Sequence, residues 1–253
     1  MTRWKYWERL RACQPGEKLQ VYGLYDLVVA RIFRPRCLLC LGDGQPPALD
    51  LCRHCEAELS RDLPACTGCA LPLPQPDAFL CGSCLRQPRD FDAAFAAYLY
   101  EHPLDWLVRR MKYGGDIAAA RVLGTLLGRR VLAGHALHVE ALVPVPLHRR
   151  REAGRGFNQS MEIARAAARE LQLPVLYDAT RRQRATVEQV GLEAAARRGN
   201  LRGAFGLQRP LGVKRVAIVD DVMTTGSTVE ELARTLKAGG AEWVEAWAVA
   251  RAS

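Results

Sequence analysis

The sequence predicts an α/β protein: a mostly parallel sheet with helices on both faces, preceded by a small zinc module. Three observations carry that expectation. Eight of the nine cysteines fall into four C-x-x-C pairs in the first third of the chain. Beyond them, apolar runs of strand length alternate with segments of helical periodicity, the order that builds a parallel sheet. One run, Val216-Ala217-Ile218-Val219, is apolar throughout, as a strand covered on both faces must be.

Of the 253 residues, 49% are hydrophobic and 25% charged, which suffices for a sizeable core and argues against wholesale disorder. The apolar stretch 21–33 is broken by Asp26 and Arg31 and is too short for a span. We expect neither signal peptide nor anchor, and a cytoplasmic chain. The formal charge of +9 is uneven: residues 1–90 carry 12 Lys and Arg against 10 Asp and Glu, residues 91–253 carry 24 against 17. The basic back half points at phosphates or nucleic acid.

The cysteine pairs are Cys37/Cys40, Cys52/Cys55, Cys66/Cys69 and Cys81/Cys84, so C-x2-C-x11-C-x2-C occurs twice. Two C-x-x-C turns aim four sulfurs at one point, the ligand set of a tetrahedral structural zinc. Two Zn²⁺ ions are therefore expected. Disulfides would require a secreted chain, and a redox pair would require a single motif in a βαβ setting. Pairing of first with second and third with fourth follows the repeat, with a cross-braced arrangement as the alternative. Gly68 and Gly82, inside such turns, are expected where positive φ is useful. Cys13 reads as a small apolar residue.

Three regions follow: residues 1–34 as an N-terminal helical extension, 35–90 as the cysteine module, and 91–253 as the α/β domain. Residues 1–12 read as a basic helix carrying Trp4 and Trp7, either docked on the protein or touching a membrane or nucleic acid. The prolines of 71–76 form the tip of the second hairpin. In the α/β domain we expect a strand over 91–100 and a helix over 103–111 with Pro103 at its start. Residues 117–132 read as a helix, 141–145 as a buried strand, 159–171 as a helix and 175–177 as a short strand. Residues 181–200 are polar, Arg-rich and expected to be mobile, with some helix from Glu193. A strand over 214–219, a helix over 227–238 ending at Gly239-Gly240, and a strand over 243–250 close the chain. Trp243 and Trp247 share a face of that last strand and are assigned to packing.

The strand ending at Val219 runs into Asp220-Asp221, then Val-Met-Thr-Thr-Gly-Ser-Thr, then a helix. Ligands of parallel sheets bind where strand ends meet helix starts. Thr224, Thr225, Ser227 and Thr228 offer hydroxyls around Gly226, and the helix N-terminus adds backbone N–H groups, an anion cradle behind two acids. The acids are expected to be exposed. The plainer alternative is a capped helix with Ser227 or Thr225 as N-cap. No G-x-x-x-x-G-K-[ST] occurs, which argues against a P-loop nucleotidase, and Gly154-x-Gly156 follows no strand.

Residues 216–228 resemble the phosphoribosyl-pyrophosphate signature of type I phosphoribosyltransferases. Lys112-Tyr113-Gly114-Gly115-Asp116, Val143-Pro144-Val145-Pro146-Leu147-His148, Arg155-Gly156-Phe157-Asn158-Gln159 and the four cysteine pairs resemble the ComF (GntX-like) family, over residues 25 to the end. The resemblance implies a double zinc ribbon and a type I phosphoribosyltransferase-like sheet. It implies that Asp220 and Asp221 hold the ribose hydroxyls of phosphoribosyl pyrophosphate alongside Mg²⁺. Thr224, Thr225, Gly226, Ser227 and Thr228 would wrap the 5′-phosphate. Residues 146–148 would form the pyrophosphate loop, with Arg149–Arg151 and Arg155 nearby, and 181–200 a hood that excludes water. It further implies a role in natural transformation, with imported single-stranded DNA and a competence helicase or other DNA-processing proteins as partners.

Purine-salvage relatives carry an acid at the position of Thr224, and a threonine is no general acid or base at neutral pH. No catalytic residue or acceptor is assigned. Three functions remain open: a phosphoribosyl transfer enzyme of the glycosyltransferase class, a nucleic-acid-handling protein, and a non-catalytic sensor of the phosphoribosyl ligand. Tyr113 and Phe157 are the candidate base-stacking aromatics.

Overall fold

The computed structural model describes residues 34–59, 64–75, 78–135, 137–147, 156–183 and 203–252. The expectations for residues 1–12, Cys13, residues 148–155 and 184–200 lie outside them. Two compact units divide between Glu56 and Ala57. Among the described residues no helix is long and apolar enough to cross a membrane.

The first unit holds Cys37 to Cys55, with helix α1 (Arg53–Leu59) carrying Cys55. The second opens with an equivalent turn and helix α2 (Gly82–Arg86) carrying Cys84. Both first turns are built alike. Antiparallel bridges Arg36–Asp43 and Ala65–Pro72 close them, and the residue after the second cysteine, Leu41 or Ala70, adopts positive φ of 64° or 56°. This corrects the expectation for Gly68 and Gly82, neither of which has positive φ. Gly68 is needed for room instead: a Cβ there would sit 3.2 Å from Cys84 Sγ and 3.1 Å from Leu80.

The α/β part runs β1 (Ala93–Leu99), α3 (Leu104–Gly114), α4 (Ile117–Gly134), β2 (Ala141–Pro144), α5 (Gln159–Leu171), β3 (Thr180–Arg182), β4 (Phe205–Leu207), β5 (Arg215–Met223), α6 (Ser227–Ala238) and β6 (Trp243–Arg251). Its main sheet has the order β1-β6-β5-β2, all parallel. Val175 bridges to Leu142 beyond β2, so the short strand expected over 175–177 contracts to one residue. Side chains alternate across the sheet. Val216, Ile218, Val244, Ala246 and Ala248 pack with Val229, Leu232 and Leu236 of α6. The odd positions face α4: Trp247 is fully buried and meets His135, which follows α4, edge-on at 5.8 Å. Both indole N–H groups, of Trp243 and Trp247, donate to Glu245; Trp247 packs as expected, whereas Trp243, at the start of the strand, is exposed. Helices α4 and α5 approach closely because Gly124 leaves no side chain between them, and a Cβ there would fall 2.3 Å from the Ile163 carbonyl.

Two strand expectations need correction. β5 does not stop at Val219 but continues to Met223, with Asp220 opposite Ala248 and Met223 opposite Arg251. Backbone pairing with β6 holds the acids in the strand whatever their polarity. Arg181 and Arg182 open the segment expected to be mobile, yet they pair antiparallel with Gly206 and Phe205, in a two-stranded sheet with β4.

Candidate functional site

Cys37, Cys40, Cys52 and Cys55 converge in one group and Cys66, Cys69, Cys81 and Cys84 in another, each with its ligand atoms within 4.8 Å of one another. First pairs with second and third with fourth, the order of the repeat. A tetrahedral four-thiolate zinc with Zn–S of about 2.3 Å separates its sulfurs by about 3.8 Å. The Cys40–Cys52 and Cys69–Cys81 sulfurs lie 3.7 Å apart, and all eight thiols are free of disulfides. Backbone N–H groups of Cys55 and Cys81 point at the sulfurs of Cys52 and Cys66, as metal-bound thiolates require. Facing thiols split their ionisation. Burial and the neighbouring cysteines push Cys69 up to about 12. Burial also opposes ionisation at Cys81, but the N–H of Cys84 and the other thiols draw it down to about 6. The donor set fits Zn²⁺ at both places.

A separate cluster of side chains stands at the carboxyl edge of the main sheet, where the end of β5 delivers Asp220 and Asp221. Asp220 is half-buried, accepting from the Ser160 hydroxyl at 3.0 Å and from the Asp221 N–H at 2.9 Å. Burial first, then the Asp221 carboxylate, push its pKa up to about 7. Asp221 accepts from the Val222 N–H and pairs with Lys112 at 3.1 Å. Burial opposes the charge on Lys112, and Asp221 and Asp220 more than restore it, raising its pKa. The acids are thus enclosed, not exposed as expected, because the strand carries them past the rim into reach of α3 and α5. Two close carboxylates, one of them reluctant to ionise, suit a hard cation bound through oxygen.

The loop that follows turns at Gly226, the N-cap residue of α6, with φ of 80° and no side-chain cap. Thr225 and Ser227 join their hydroxyls at 2.8 Å, and Thr225 Oγ1 also accepts from the Ser227 N–H at 3.4 Å, so Thr225 satisfies one first-turn donor although Gly226 holds the N-cap position. Glu230 makes the first helical bond, to the Gly226 carbonyl. The N–H groups of the first turn have no helical acceptor and face the end favourable to anions. A pocket is lined by Asp220 and by Thr224, Thr225, Gly226, Ser227 and Thr228, so the structure brings together the residues singled out in the sequence, all but Asp221 in its wall.

Elsewhere, Asn158 caps α5 by accepting from the Met161 N–H and ties it to β2 by donating to the Val145 carbonyl at 3.2 Å. Gly115, at φ of 65°, ends α3, and Asp116 caps α4 through the N–H groups of Ala118 and Ala119 while pairing with Arg110. This corner presents Lys112 to the acids. Tyr113 is 81% exposed and free to stack, whereas Phe157 is half-buried. Lys112 and Ser160 were missed as partners of the acids. The only available signal for Lys112 was its place in the segment 112–116.

The phosphoribosyl transferase domain family matches residues 158–253. Competence protein F of Haemophilus influenzae is 35% identical over 227 residues, covering 87% of this chain and 98% of that protein. DNA utilization protein YhgH of Escherichia coli is 36% identical over 224 residues, covering 85% and 96%. Among solved structures, glutamine phosphoribosylpyrophosphate (PRPP) amidotransferase from B. subtilis, complexed with ADP and GMP, covers 51% of this chain and 26% of that one, at 20% identity and a TM-score of 0.35.

Proposed function

Because the chain belongs to the ComF family, we propose that it handles imported single-stranded DNA in the cytosol during natural transformation and binds phosphoribosyl pyrophosphate with Mg²⁺ at the end of β5. One observation supports the ligand reading above others. An enclosed acid pair stands directly before a helix N-terminus that has a glycine at its N-cap position and is ringed by hydroxyls, in a segment matched by the phosphoribosyl transferase domain family. The names of the relatives, competence and DNA utilization, support the DNA role.

In this reading Asp220 and Asp221 take the ribose hydroxyls, and the loop 224–228 takes the 5′-phosphate through its N–H groups and hydroxyls. Lys112 and Ser160 hold the acids in place. Mg²⁺, when bound, neutralises the pyrophosphate charge and draws on the same carboxylates. Thr224 is exposed on the loop and supplies neither acid nor base. That favours a second reading of the same site, a sensor that binds the ligand without transferring it, and pyrophosphate release in an acceptor screen separates the two.

Calorimetry with phosphoribosyl pyrophosphate, with and without Mg²⁺, tests the site. We expect Mg²⁺-dependent binding that the double variant Asp220→Asn/Asp221→Asn loses while still unfolding in one cooperative transition. Equal binding by parent and double variant would move the ligand elsewhere.

A further inference from the structure

The second cysteine group is wired to the anion loop through two arginines. Arg89 follows Cys84 by five positions. Its Nη1 donates to Glu230 Oε1 at 3.0 Å and to the Thr225 carbonyl at 3.4 Å. Arg251, the last residue of β6 and 7% exposed, donates from Nε to the Cys69 carbonyl at 2.9 Å and from Nη1 to the Met223 carbonyl at 3.0 Å. A third tie runs from the Ala94 N–H to the Thr67 carbonyl at 2.8 Å. The 66–69 turn reaches Met223 through Arg251, and Arg89, five residues along the chain from Cys84, reaches Thr225.

The carbonyls so held belong to the peptide planes 223–224 and 225–226. In a planar trans peptide the C=O and the next N–H point in opposite directions. Holding the Met223 and Thr225 carbonyls toward the arginines therefore turns the N–H groups of Thr224 and Gly226 the other way. Two donors of the loop are oriented before any anion arrives, the preorganisation that tightens binding without adding contacts.

We infer that the second cysteine group is a positioning element of the anion loop, and that metal held by Cys66, Cys69, Cys81 and Cys84 and anion held by residues 224–228 are coupled through Arg89 and Arg251. This rests on the proposed phosphoribosyl site. Metal draws the two turns into one rigid centre, which fixes the Cys69 carbonyl that anchors Arg251 and the helix α2 from whose end the chain leads to Arg89. Coupling between binding sites is reciprocal, so ligand must tighten metal by the factor by which metal tightens ligand. The first cysteine group belongs to the other compact unit.

The test is an equilibrium chelator competition for zinc on the full chain, with and without saturating phosphoribosyl pyrophosphate and Mg²⁺. A Cys37→Ser background isolates the second group. Ligand should raise zinc affinity about 5-fold or more, the lower end of typical coupling. Arg89→Lys keeps the charge opposite Glu230, but a compact ammonium does not reproduce the guanidinium's bonds to both Glu230 and Thr225. It should fold, retain zinc and bring the factor near one. A merely structural Arg89 would lower stability and leave the factor intact. Heat of ligand binding with unchanged zinc affinity, or coupling that survives Arg89→Lys, overturns the inference alone. No heat of binding at all overturns the phosphoribosyl site and this inference together.

Discussion

Lys112 and Asp221 form an ion pair of 3.1 Å in which the lysine side chain is 24% and the aspartate 13% exposed. The lysine comes from the last turn of α3 and the acid from the end of β5, so the pair closes the sheet edge against the helix layer. Removing one member of an enclosed pair leaves the other uncompensated. Lys112→Met should destabilise the protein by on the order of 1–3 kcal/mol at neutral pH, the cost of leaving an enclosed polar group without its partner, and adding Asp221→Asn should recover part of that loss. Urea unfolding of both singles and the double gives the coupling, and strictly additive losses would show that the pair contributes nothing.

The pH dependence of stability should carry the mark of Asp220. Its pKa rises from 3.8 to about 7 in the fold. A carboxyl that holds its proton more tightly when folded stabilises the fold at low pH, and that contribution fades as pH climbs from about 4 to about 7. Asp220→Asn removes the cost of ionising an enclosed group, so its melting temperature should exceed that of the parent at pH 8 and converge with it toward pH 4. A constant difference across that range would place the shift elsewhere.

These two residues mark where sequence reading stops. The run 216–219, the hydroxyl loop and α6 were legible because apolar runs, glycine and helical spacing are local signals, and α6 begins at Ser227 and ends at Ala238 as read. The continuation of β5 through Asp220 to Met223 was not, because backbone pairing with β6 is indifferent to side-chain polarity. Lys112, Ser160 and Arg89 reach the site across the fold, and no local pattern announces such contacts. β4 has only three residues, too few to show a period. The cysteine groups were legible because four ligands at repeated spacing leave little else to build.

The two metal groups should fail differently. Cys37→Ser and Cys66→Ser should each remove about one zinc from the chain. Structural zinc in small modules contributes on the order of 10 kcal/mol, so each loss unfolds what its metal holds. Cys66 shares a compact unit with the main sheet, so its loss should lower the melting temperature of the α/β part. Loss of Cys37 should leave that transition in place. Metal analysis together with calorimetry checks both, and two variants that melt alike would contradict the division.

Binding of single-stranded DNA should depend on salt through a countable set of arginines. For single strands the logarithm of affinity falls by about 0.7 per phosphate contact for each tenfold rise in salt. Within 181–184 the described arginines are not equivalent. Arg181 is exposed, whereas Arg182 lies over the Phe205 ring at 5.6 Å and is half-buried. A face of β3 that meets phosphates should therefore do so through Arg181. Arg181→Ala should flatten the salt slope by about 0.7 with little change in melting. Arg182→Ala should cost stability through its lost stacking and change the slope less. The triple variant that also replaces Arg184 should flatten it by the number of contacts removed. Filter binding at several salt concentrations reads every slope. If the basic half only solvates the surface, all variants share one shallow line, and the DNA role must then rest on a partner protein. Competition sharpens the location, since an anion loop beside the DNA face predicts that phosphoribosyl pyrophosphate displaces the strand, and independent binding would put DNA on a separate face.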